Sequence, residues 1–156
     1  MERLVLPWVG MFTPNMEIDS LAAMVIGCAI KVHREMGPGL TEPIYEECML
    51  LELQMAAIPF QCERRLPIAY RETTLKTHIR IDVLVDSRLI LELKAVDAIS
   101  GIHKAQVIAY LKLTGFPAGL LINFNEPTLV AGVRRLDHPD IYVRKRGATR
   151  SARLES

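Results

Sequence analysis

Residues 80–94 read Arg80-Ile81-Asp82-Val83-Leu84-Val85-Asp86-Ser87-Arg88-Leu89-Ile90-Leu91-Glu92-Leu93-Lys94. Two apolar runs flank the polar triplet Asp86-Ser87-Arg88, the pattern of a β-hairpin. With a three-residue turn, Val85 faces Leu89, Leu84 faces Ile90 and Asp82 faces Glu92. Directly opposed residues share one side of a sheet, and Lys94, two residues past Glu92, shares it too. Two acids and an ammonium then converge on one patch. A two-residue turn would shift the register by one and send Asp82 to the opposite face from Glu92. Two bare carboxylates about 4 Å apart repel by about 4 kcal/mol near a protein surface. A lysine relieves part of this, and a divalent cation relieves more. The alternative for the same three residues is a salt bridge across a hairpin. The apolar setting of Glu92 among Leu89, Ile90, Leu91 and Leu93 argues for a site, because charges there are costly unless paired or metal-bound.

Upstream, Leu75, Ile79, Ile81 and Val83 alternate with Lys76, His78, Arg80 and Asp82, a two-residue period that predicts a strand with its polar set on one face. Arg71-Glu72-Thr73 is a turn, and Phe60 to Tyr70, interrupted by Pro67, predicts an edge strand or a bend. Before it, Leu21, Met24, Val25, Cys28, Val32 and Met36 recur at helical spacing from Asp19 to Met36. Asp19 or Ser20 is the expected cap and Gly37 the stop. A second helix is expected from about Glu42 to Ala57, with Thr41 as cap, Pro43 in the first turn and Pro59 beyond the end. Downstream, a helix is predicted from Gly101 or Ile102 to Thr114, ending at Gly115. Ala118 to Phe124 reads as a strand buried on both sides. Val130 to Val143 is ambiguous, with an edge strand expected near Ile141. The fold class is α/β (α+β).

The chain has 156 residues, half of them hydrophobic, and nineteen basic against eighteen acidic side chains give a net charge of +1. That excludes a disordered chain and a histone-like basic protein, though not a local basic groove. No apolar run is long enough to span a bilayer, so no membrane association is expected. Cys28, Cys48 and Cys62 form no CxxC, which argues against a disulfide framework or thiolate zinc site and favours a reducing, cytoplasmic setting. The four histidines have no metal-binding spacing, and no nucleotide-binding glycine loop or hydrolase elbow occurs. Residues 1–18 are expected to be an extension, 19–143 a single domain and 144–156 a basic, disordered tail.

Taken in order, Gly39-Leu40-Thr41-Glu42-Pro43-Ile44-Tyr45, then Asp82, then Glu92-Leu93-Lys94, then Lys112-Leu113-Thr114-Gly115 and Leu121-Ile122-Asn123-Phe124, resemble the GxxExxY protein family of the PD-(D/E)XK nuclease superfamily. The resemblance covers roughly Asp19 to Leu136. It implies a restriction-endonuclease-like core of αβββαβ order, with a central mixed sheet flanked by helices. It also implies a divalent-metal-dependent nuclease acting on DNA in preference to RNA, with Mg2+ or Mn2+ as cofactor. Asp82 and Glu92 are then metal carboxylates and Lys94 the catalytic lysine. Glu42 is the helical glutamate that supports the metal, with Glu46, one turn on, as the alternative. Gln106-Val107-Ile108-Ala109-Tyr110 is similar to a Q-x-x-x-Y motif, which adds Gln106 as a catalytic candidate. Tyr45, Glu46, His78, Arg80 and Tyr110 are candidate substrate contacts, and Lys76, Arg80, Lys104 and Lys112 candidate phosphate contacts. Ile81 stands where the superfamily usually has proline. A non-catalytic binding module with the same fold is the competing expectation, and a homodimer the oligomeric option.

Overall fold

The computed structural model describes residues 11–140. Helices α1 (Ile18–Met36) and α2 (Glu42–Met55) lead into strands β1 (Phe60–Tyr70), β2 (Thr73–Val85) and β3 (Leu89–Lys94). Helix α3 (Gly101–Thr114), strand β4 (Ala118–Asn123), a 3-10 turn at Leu129–Gly132 and strand β5 (Val133–Asp137) follow within the described residues. The sheet has the order β1-β2-β3-β4-β5. Only the β3–β4 pair is parallel, joined by the α3 crossover, and the other neighbours are antiparallel. The mixed, helix-flanked αβββαβ arrangement expected from the sequence is the one observed.

Two apolar cores lie on the two sides of the sheet. Leu21, Val25, Val32, Tyr45, Met49 and Leu53 of α1 and α2 pack with Val83, Val85, Leu91, Leu93, Leu120 and Ile122. Val107 and Leu111 of α3 pack with Ile81, Leu84, Ile90 and Leu121. Strand β4 is buried at every position, as its continuous apolar run requires. Gly119 lets α3 sit directly on it, because a Cβ there would lie 2.6 Å from Cγ1 of Val107.

Several local expectations are corrected. Neither Asp19 nor Ser20 caps α1, which starts at Ile18 after Glu17. Asp19 instead accepts from Arg135 of β5 at 2.6 Å and ties the first helix to the last strand. Thr41 occupies the cap position of α2 but makes no side-chain cap bond. Helix α2 stops at Met55 rather than Ala57, since Ala57 adopts a left-handed backbone (φ 55°). The β1–β2 turn is Arg71-Glu72 alone, because Thr73 already pairs with Tyr70. The final edge strand is Val133–Asp137, and Ile141 lies outside the described residues, as do Met1–Gly10 and the basic tail. Five residues with two exposed arginines are too short a segment for alternation to register. Phe12, Met16 and Ile18 pack against the α1–α2 core.

Gly119→Ala is expected to cost about 1–3 kcal/mol, since buried, β-branched Val107 has little room to retreat. Urea unfolding of the two proteins reads this directly, and equal midpoints would contradict the tight α3–β4 seat.

Candidate active site

The hairpin register is the one that a three-residue turn dictates. Val85 pairs with Leu89, Leu84 with Ile90 and Val83 with Leu91. Asp86 and Ser87 both adopt positive φ, which closes the turn. The ladder ends at Val83. Strand β3 runs on beside β4 as far as Lys94 opposite Asn123. The β2–β3 ladder therefore stops at the level of Asp82 and Glu92, the next positions along, and leaves an unpaired notch in the sheet there.

Strand β2 is also irregular at this level. Ile81 joins the α3-side core and Val83 the opposite one, so strict alternation from Ile79 to Val83 is broken around Asp82. Across the β1–β2 ladder, Glu63 has φ 52°, and pairing resumes in the same register on either side of it (Cys62 with Val83, Arg64 with Ile81). The two strands thus distort together. This corrects the single polar face expected for Lys76, His78, Arg80 and Asp82.

Glu92 is only 6% exposed, on a strand whose neighbours Leu91 and Leu93 are core residues. Its Oε1 lies 3.3 Å from Nζ of Lys94, so the two side chains share one face. Burial pushes the Glu92 carboxyl above the usual glutamate range. Lys94 pulls it down, and the negative charges of Asp82 and Glu42 push it up again. Glu46 is raised as well, first by burial and then by Asp82 and Glu42, with Arg80 opposing. Asp82 is more open, its side chain 37% exposed, with Nε of Arg80 3.7 Å from Oδ1. The charges of Asp82 and Glu42 thus bear on both Glu92 and Glu46, with Lys94 opposing them at the first and Arg80 at the second. Glu46, the alternative to Glu42, is the helix acid on which Asp82 bears as the leading charge.

The remaining expected residues have other surroundings. Tyr45, a candidate substrate contact, is fully buried. Its hydroxyl donates to the Gly37 carbonyl at 2.5 Å and accepts from the Leu40 amide at 3.1 Å, and its ring stacks on Phe124 with centroids 4.6 Å apart. The GxxExxY tyrosine thus fastens the loop that carries its own glycines. His78 is exposed four residues up β2 from Asp82, about 13 Å along the strand, and stands apart from the cluster. Gln106 and Tyr110 share a face of α3, Nε2 donating to the tyrosine oxygen at 3.3 Å. Arg80 binds Glu63 at 2.6 Å, a partner that no local sequence pattern marks.

Asn123 adds a structural role to its place in the Leu121-Ile122-Asn123-Phe124 segment. Fully buried, it accepts from the Val96 amide at 3.0 Å and donates to the Val96 carbonyl at 2.9 Å, clamping the backbone just past Lys94. Its signal was the one that exposed Glu92, a lone polar side chain in an apolar strand.

A restriction-endonuclease-like sheet carrying Asp82 and Glu92-x-Lys94 at a notch defines the class. The chain belongs to the PD-(D/E)XK nuclease superfamily, whose family model matches residues 19–136. No curated protein and no solved structure matches it. Nucleases of this superfamily generally use divalent metals and act on nucleic acid. Among the described residues no three His, Cys, Asp or Glu side chains form a ready cage. The donor chemistry fits nonetheless, because Mg2+ takes one or two carboxylates and completes its shell with water, and the acids here outnumber the cations beside them. No helix of the described residues is long and apolar enough to cross a membrane.

Because the Glu92 carboxyl is raised, the native state holds its proton more tightly than the unfolded chain does. Its ionised form therefore costs stability, and the cost grows as pH rises from the ordinary glutamate value through the raised one. Glu92→Gln should melt higher than the parent at pH 7, with the gap closing as pH falls toward about 4. Calorimetric Tm across that range checks the sign.

Proposed function

We propose that this chain is a divalent-metal-dependent nuclease that hydrolyses phosphodiester bonds of DNA. Within its superfamily we assign it to the GxxExxY group, on the motif from Gly39 to Tyr45. The observation that carries the reading is the notch where the β2–β3 ladder stops, with buried Glu92 held 3.3 Å from Lys94 and Asp82 at the next step of the ladder.

Asp82 and Glu92, with Glu42 or Glu46 in support, would hold Mg2+ or Mn2+, which when bound polarises a phosphoryl oxygen and lowers the pKa of a water. The chain's own groups do the rest. Lys94, fixed by its pairing with Glu92, donates to the attacking water or to the oxygen on which negative charge develops. Its ammonium opposes the burial and the neighbouring acids that raise the Glu92 carboxyl. Asn123 keeps the backbone after Lys94 in place. Arg80, beside Asp82, is positioned to neutralise a phosphate, and Gln106 with Tyr110 offers hydrogen bonds from α3. The three free cysteines suit a reducing, cytoplasmic setting.

A second reading, a non-catalytic binding module, draws on the lack of a ready three-donor cage among the described residues. One experiment separates the two. Plasmid and single-stranded DNA are incubated with the purified chain and Mn2+ or EDTA, beside Asp82→Asn, Glu92→Gln and Lys94→Ala. The nuclease reading expects cleavage only with metal and a loss of about a hundredfold or more in each variant. Equal cleavage by parent and variants, or none by any, would leave the binding module.

A further inference from the structure

Beyond Val83, β2 has no partner on its β3 side among the described residues, and β1 and β2 continue together as a two-stranded ribbon. From Pro67 to His78 every residue is exposed except half-buried Ile68. Six strand residues extend this outer part by about 20 Å. A two-stranded ribbon is marginal by itself in water, and little of this one is covered by the cores.

Its charge is distinctive. Residues 61–80 carry five basic side chains (Arg64, Arg65, Arg71, Lys76 and Arg80) against two acidic ones (Glu63 and Glu72), in a chain that is nearly balanced as a whole. Arg65 and Arg80 are direct cross-strand partners, an arrangement that destabilises a hairpin unless an anion intervenes. Glu63 answers Arg80. Among the described residues the side chains of Arg64, Arg65 and Lys76 make no ion pair or hydrogen bond. At the tip, the Arg71 guanidinium lies 5.7 Å from the ring centre of exposed Tyr70. At the base, Arg80 adjoins Asp82, so the ribbon leads into the notch.

We propose that the β1–β2 ribbon is an arm that grips a B-form DNA duplex, lying in its major groove with Arg64, Arg65, Arg71 and Lys76 on the flanking phosphates. The assignment of the notch as the place of cleavage rests on the nuclease reading; the grip does not. A groove about 12 Å wide admits a two-stranded ribbon, whereas the major groove of A-form RNA is too deep and narrow. Consecutive Arg64 and Arg65 project to opposite faces, as suits a ribbon between two phosphate walls.

The test is fluorescence anisotropy of the full chain with a labelled DNA duplex of about two helical turns. EDTA is present so that no cleavage occurs, and salt runs from about 50 to about 200 mM. Arg64→Ala/Arg65→Ala/Lys76→Ala should bind at least about tenfold more weakly, with a log–log salt slope shallower by about 3. Lys31→Ala/Arg34→Ala, exposed on α1, should bind as the parent does. Arg64→Lys/Arg65→Lys should restore most of the affinity, because phosphate contact needs charge more than shape. An RNA duplex of the same sequence should bind at least about tenfold more weakly than the DNA. The arm is overturned if the parent does not bind the duplex, if the triple variant binds within twofold of it, or if RNA binds equally well. Cleavage with Mn2+, run in parallel, keeps the two proposals apart. Arm-dependent binding without cleavage supports the arm and sinks the nuclease; cleavage with arm-independent binding does the reverse.

Discussion

Strand β3 must satisfy two opposed demands. It is a core strand, with Leu91 and Leu93 in one apolar layer and Ile90 in the other, yet it carries Glu92 and Lys94. Both demands are met because its two neighbours end at different points. Beside β4 it pairs over six positions, which fixes its backbone through Lys94, while beside β2 it pairs over only three. The unpaired stretch is where the charged side chains sit. A longer β2–β3 ladder would close the notch, and a shorter β3–β4 ladder would leave Glu92 and Lys94 on a loose end. The Asn123 clamp on Val96 continues this support one step beyond the sheet.

The electrostatics follow from that placement. A carboxylate in so apolar a strand is disfavoured by burial, and the acids around it add to the cost. Lys94 returns part of it. What remains is accumulated negative charge that the two cores must carry, a common circumstance where a site is built for charge rather than for stability. The aromatic stack of Tyr45 on Phe124, with the tyrosine hydroxyl tied to Gly37 and Leu40, is one of the contacts that carry it. It joins the start of α2, where Glu42 and Glu46 reside, to the end of β4.

Net charge conceals how the cations are distributed. A value of +1 argues against a broadly basic surface, but it is an average, and the ribbon holds a local excess that the acids of the notch and the rest of the chain offset. The cations of the ribbon and the acids of the notch stand at different levels along β2. The strand carries Lys76 outward from Asp82, while Arg80 stays beside it.

Local chemistry determined much of this protein from its sequence. Counting outward from Asp86-Ser87-Arg88 gives the β2–β3 register once the turn is three residues long, helical spacing and turn residues set the element order, and one charged pair in an apolar strand marks the candidate site. These are legible because each depends on residues close together in the chain. Tertiary structure decided the rest. Whether Glu42 or Glu46 approaches Asp82 depends on how α2 is rotated against the sheet. Tyr45 is buried because Phe124, some eighty residues away, completes its stack. The break in alternation at Asp82 needs Glu63 on the neighbouring strand, and the bond from Arg135 to Asp19 spans nearly the whole domain. Such outcomes arise from contacts between segments distant in sequence, which no local period encodes.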